Sequence, residues 1–134
     1  MRKNVAGQAF LSTVLIIGGM MIIIAAAVAM LAAAFIDTGF GLQASNQAES
    51  VATAGVNDAF IQLVRDTSFS STAYTVTVPN GSATVIVTQN SPAAPTASVL
   101  STATVSGRTR KISAAFSINS TTGQVVLVAW QDVQ

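Results

Sequence analysis

The chain has 134 residues, of which 51% are hydrophobic and only 8% charged, with mean hydropathy +0.60. Soluble domains average about 25% charged residues, so the balance points to a membrane-associated chain, and a net charge of +1 offers no field for nucleic acid. Histidine and cysteine are both absent, which excludes histidine and thiol catalysis, zinc sites of Cys/His type and any disulfide framework. The five carboxylates are scattered, so no enzymatic activity, cofactor or metal is expected.

Arg2 and Lys3 precede 33 uncharged residues, a gap that ends at Asp37. Within it, residues 14–36 form a 23-residue run with no strongly polar side chain. A membrane-spanning helix needs about 20 such residues, so a transmembrane helix is predicted. Positive flanks stay inside, which leaves the N-terminus in the cytoplasm and exports everything after Asp37. Gly18 and Gly19 are candidate packing points, because small residues let apolar helices approach closely.

Gly39 and Gly41 follow, each costing about 1 kcal/mol against Ala in a helix. The helix is expected to be continuous but weak there, or locally unwound. Residues 43–66 read as a second helical stretch without proline. Ala44, Ala48, Val51, Ala52, Gly55, Val56, Ala59, Phe60 and Leu63 recur at spacings of three and four, giving one apolar stripe. Asn46, Gln47, Glu49, Ser50, Asn57, Asp58 and Gln62 fill the opposite face.

After Asp66 the period changes from 3.6 to 2. Strands are predicted over residues 73–78, 83–89, 99–105 (weaker), 110–119 and 125–130, the last more continuously apolar. Asn80-Gly81 is a favoured pair for a two-residue hairpin, residues 90–98 with Pro92 and Pro95 read as a loop, and Gly107 and residues 120–123 mark turns. A sheet this small needs a cover for its apolar face, and the 43–66 stripe is the available element. The predicted fold class is α+β: a long N-terminal transmembrane and amphipathic helix packed on a small antiparallel sheet of four to five strands.

The N-terminal residues Arg2-Lys3-Asn4-Val5-Ala6-Gly7-Gln8-Ala9-Phe10-Leu11 form a short basic leader ending in glycine just before a long apolar helix. This resembles the leader of type IV pilin-like proteins. Farther on, Gln43-Ala44-Ser45-Asn46-Gln47-Ala48-Glu49-Ser50 and Ala54-Gly55-Val56-Asn57-Asp58-Ala59-Phe60 resemble a stretched form of the PilX-type minor pilin pattern. There a Q-A-x-x-A-E-[AS]-G-[IV] run leads into x-D-A-[LF]. The resemblance covers residues 1–66 well and the sheet in outline.

The resemblance implies a prepilin peptidase that cuts between Gly7 and Gln8 on the cytoplasmic side and methylates the new amine of Gln8. It divides the chain into a leader (1–7), a transmembrane and filament-core helix (8–36), its amphipathic continuation (37–66) and an exported sheet domain (67–134) with a pilin-like fold. It further implies residence in the inner membrane as a precursor, engagement of a pilus assembly platform, and self-association into an extracellular helical filament. Phe10, Ser12, Thr13, Gly18 and Gly19 become the candidate subunit-packing residues. Two positions depart from the pattern. Ser12, with Thr13 beside it, stands where most pilins carry a glutamate that neutralises a neighbour's N-terminal amine, and a hydroxyl accepts a hydrogen bond without cancelling the charge. This points toward a minor or tip subunit. Gln8 stands where Phe is usual.

Other readings stay open on the residues themselves. Ala32-Ala33-Ala34 matches an ordinary signal-peptidase site, although the apolar stretch exceeds the 7–15 residues of such a signal. An uncleaved anchor is the other alternative. Either would leave a small β-domain acting as an adhesin or binding module. Arg108, Arg110 and Lys111 form a basic cluster that fits an anionic surface or DNA, or solvated charges that guard a strand edge. Asn80-Gly81-Ser82 matches the N-x-[ST] acceptor pattern and equally a hairpin turn.

Overall fold

The structure, a computed structural model, describes residues 5–91 and 94–133, with side chains from residue 10 onward. The elements are one helix, α1 (Val5–Arg65), followed by strands β1 (Ser71–Val78), β2 (Gly81–Gln89), β3 (Thr96–Val105), β4 (Arg108–Asn119) and β5 (Gln124–Val133). The chain divides into two units, Met1–Phe40 and Gly41–Gln134.

In the first unit every described side chain of α1 is exposed, including Phe10, Ile16, Met20, Ile24, Leu31 and Ile36. This helix is long and apolar enough to cross a membrane, and none of its most apolar window is buried. Thr38 turns its hydroxyl back onto the Ala34 carbonyl at 2.8 Å, so even the polar residue near the end of the segment is satisfied within the helix. There is no unwinding at Gly39 or Gly41: helical hydrogen bonding runs through both. Extending an existing helix adds one bond per residue fixed, whereas a break would require a new nucleus beyond it.

The second unit contains the sheet, a meander in the order β1-β2-β3-β4-β5, antiparallel throughout. The α+β layout expected from the hydrophobic periods is therefore present, with five strands. Inward positions alternate along β2 (Ala83, Val85, Val87), β3 (Ala97, Val99, Ser101, Ala103) and β4 (Ile112, Ala114, Phe116, Ile118), all buried. The stripe of α1 covers them: Ala44, Ala48, Val51, Ala52, Gly55, Val56, Ala59 and Leu63 are buried. Eight of the seventeen buried hydrophobic residues found among the described residues are alanines, so helix and sheet lie unusually close. The nearest approach is at Gly55, where an added Cβ would press on Ser101 Oγ and lie 2.8 Å from Val85 Cγ2 and 3.0 Å from Ala83 Cβ.

The turns differ from expectation in two places. Val78 pairs with Gly81, so the first hairpin loop is Pro79-Asn80 rather than Asn80-Gly81. Proline presets the first loop position, and Gly81, at φ +154°, becomes the first paired residue. The 90–98 loop is also shorter than expected, because β3 begins at Thr96. Ala97 is buried and paired on both sides, with Gln89 and with Phe116, and this pairing outweighs the local turn residues. Gly107 behaves as expected: Ser106 and Gly107 take φ of 48° and 76°, the two positive values of a type I′ hairpin. In the 120–123 turn, Asn119 Oδ1 accepts from the Thr121 and Thr122 N–H groups at 3.0 and 3.2 Å. The link from α1 to β1 is pinned by Gln89, whose Nε2 donates to the carbonyls of Thr67 (3.2 Å) and Phe69 (2.7 Å).

Candidate interaction surfaces

Of the residues singled out in the sequence, Arg2 and Lys3 lie outside the described residues. Gly7 and Gln8 belong to the first turns of α1. Phe10 is exposed on the helix surface, and Ser12 and Thr13 are exposed there too, each already engaged in an interaction. A Cβ added at Gly18, Gly19 or Gly39 would meet nothing within 4 Å, so these glycines leave open helix surface. Gly41 is different. The Arg108 guanidinium lies over it, with Nη2 3.1 Å from where a Cβ would stand. The bare backbone at Gly41 is a seat for that side chain, a reason invisible in the sequence around it.

The basic cluster does not act as one patch. Arg108 and Arg110 project from the helix-facing side of β4, and Lys111 from the other side. Arg110 is already occupied: its Nε donates to Ser45 Oγ at 2.9 Å, and its Nη1 pairs with Asp132 Oδ2 at 3.1 Å. It therefore ties β4 to both α1 and β5. Arg108 and Lys111 remain exposed.

Among the described residues, two titratable groups are perturbed. Burial, and secondarily the neighbouring Asp58 carboxylate, pushes the Tyr74 hydroxyl well above its ordinary pKa. The Tyr74 ring packs edge-on against Phe69 at 5.9 Å, and Ser101 Oγ is buried without a hydrogen-bond partner. At the end of α1, Ser68 donates through its Oγ (2.6 Å) and N–H (2.9 Å) to Asp66 Oδ1, and these bonds hold the Asp66 carboxyl below its usual range. Two shallow depressions run beside the β1–β2 and β2–β3 ends, lined by Ser, Thr, Gln, Asn and a few apolar residues with no titratable side chain.

An apolar surface lies along β5. On the helix-facing side, β5 places Trp130 opposite Ala114 and Leu127 opposite Phe116. Between these pairs the register slips, leaving Val128 as the extra residue of a bulge. Phe60 of α1 stacks on Phe116 with ring centroids 5.5 Å apart. Val56, Asn57, Phe60, Phe116, Leu127 and Trp130 together line a groove of about 250 Å³. Trp130 is 43% exposed and Leu127 48%, so neither belongs to the core. In the sequence, the departure of residues 125–130 from strict alternation was the available signal. A strand that is apolar on both faces is either buried on both or offers one to something else.

No family model, curated protein or solved structure matches the chain.

Proposed function

We propose that this protein is a structural subunit of a type IV pilus-like filament. It is inserted into the membrane as a precursor, cut by a prepilin peptidase after Gly7, and assembled through its apolar helix. The observation that most supports this reading is the apolar half of α1. It exposes every described side chain from residue 10 to residue 40, yet the same helix continues without a break into the stripe that holds the sheet. Such a segment needs an apolar surrounding at every stage. Lipid supplies it before assembly, and the helices of other copies supply it in a filament. The stripe of α1 packed on the inward faces of β2, β3 and β4 gives the exported domain a core of its own outside the filament core.

The test is the intact mass and N-terminal sequence of the protein recovered from its native cell. Loss of Met1–Gly7, with or without one methyl group on Gln8, is the expected result. A Gly7→Leu chain should stay full length in the membrane and form no filaments. Filaments built from uncut Gly7→Leu chains refute the reading. A start at Phe35 instead would make the protein a secreted β-domain, and an uncut native chain a membrane-anchored binding module.

A further inference from the structure

We infer that the groove between α1 and β5 receives the apolar segment of α1 from a second copy of the chain, laid beside the resident helix. This rests on the filament reading and names the contact that the exported domain makes within it.

Layer geometry carries the argument first. At Gly55, α1 lies over Ala83 and Val85 of β2 and Ser101 of β3. It buries the inward side chains of β4 as well, so it is centred near β3, and with neighbouring strands about 4.8 Å apart β5 lies about 10 Å to one side. Packed helices lie 8–10 Å apart. A helix laid along β5 would therefore touch the sheet and α1 at once, with Phe60, Leu127 and Trp130 as its bed.

Chemistry narrows the occupant. The groove holds one polar side chain, Asn57, and no charged one. The matching element must be an uncharged apolar helix, and this chain carries one in residues 4–36, without a single charge. Strand addition is disfavoured, because the bulge at Val128 disrupts the regular edge that an added strand would need. Area points the same way. Phe60, Leu127 and Trp130 are 36–48% exposed, which leaves on the order of 250 Å² when large side chains bury 150–250 Å² each. A stable pair needs about 800 Å² per partner. The groove alone is too small to hold a free dimer, and it suits a contact completed by helix packing along the rest of the segment.

The chain contains no cysteine, so Leu127→Cys in the full-length protein gives one labelling site for a benzophenone maleimide. Irradiated in native membranes or filaments, the labelled chain should yield a product of twice the chain mass, with the attached peptide drawn from residues 8–42. Attachment to another part of the chain, to a different protein or to lipid alone overturns the proposal, as does no product. A second variant, Leu127→Glu, places a charge in the groove at a position that is half exposed and so leaves the fold intact. Burying an unpaired charge costs several kcal/mol, so filament yield should drop more than about tenfold, while cleavage after Gly7 and the circular dichroism spectrum stay as in the parent. Normal filaments from Leu127→Glu refute the groove contact and leave the filament reading standing. If the parent chain forms no filament at all, that reading falls, and the cross-link alone decides whether copies meet at this groove.

Discussion

Gly55→Ala is a substitution whose sign depends on tertiary structure. On an isolated helix, Gly to Ala gains about 1 kcal/mol. Here the new Cβ lies 2.8 Å from Val85 Cγ2 and 3.0 Å from Ala83 Cβ, and closer still to Ser101 Oγ. The Ser101 hydroxyl can rotate away, but the Ala83 Cβ is fixed to the backbone, so the helix has to rise off the sheet. Overpacking of this kind costs about 1–3 kcal/mol and lifts the neighbouring alanines away from their contacts. Set against the gain of about 1 kcal/mol in helix propensity, the net expectation is a loss of up to about 2 kcal/mol, which for a domain of this size lowers the midpoint by up to roughly 15 °C. Gly39→Ala is the internal control, because its Cβ meets nothing within 4 Å and only the helix propensity changes. The assay is thermal unfolding of the detergent-solubilised full chain, read by far-ultraviolet circular dichroism and by Trp130 fluorescence. Gly39→Ala should raise or preserve the midpoint while Gly55→Ala lowers it. If Gly55→Ala stabilises the chain as much as Gly39→Ala does, the close approach of helix and sheet is wrong.

Ser101→Ala removes a buried hydroxyl that has no partner, and should stabilise the chain by about 1 kcal/mol; a loss of stability in denaturant titration would mean the hydroxyl is bonded. Because the folded-state pKa of Tyr74 is raised, its contribution to stability is complete below the unfolded value, about pH 10, and is lost as pH rises beyond it, where the unfolded chain ionises first. Tyr74→Phe should flatten this alkaline limb, and an unchanged limb counts against the burial of that hydroxyl. Asp66 has the opposite sign: its lowered pKa stabilises the fold at neutral pH and the effect fades as pH falls below about 4. Midpoints measured from pH 7 to pH 3 should therefore show a smaller acid decline in Asp66→Asn. Asp132→Ala, which breaks a partly exposed ion pair, should cost less than about 1 kcal/mol; a larger loss in the same melt would show that Arg110 depends on Asp132 to hold β5.

Most of the architecture is legible in the chain because it rests on local periods. The change from a 3.6-residue to a 2-residue repeat near Asp66 marks the end of α1 to within one residue. The spacing of Ala44, Ala48, Ala52 and Ala59 marks the face that meets the sheet, and Ser106-Gly107 sits where a two-residue hairpin needs positive φ. The uncharged stretch before Asp37 is a property of composition alone.

What the sequence could not determine are the features that depend on partners distant along the chain. The start of β3 at Thr96 comes from pairing of Ala97 with strands on both sides. Helix continuity at Gly41 is accompanied by a guanidinium from residue 108 lying over its bare backbone. The separation of Arg110 from its basic neighbours follows from the positions of Ser45 and Asp132. Whether Trp130 is core or surface is also a tertiary matter. One helix covering β2, β3 and β4 is too narrow to cover all five strands, so β5 keeps its apolar face in the open. Local sequence sets which side of a strand is apolar, and only the packing of layers sets which of those sides is covered.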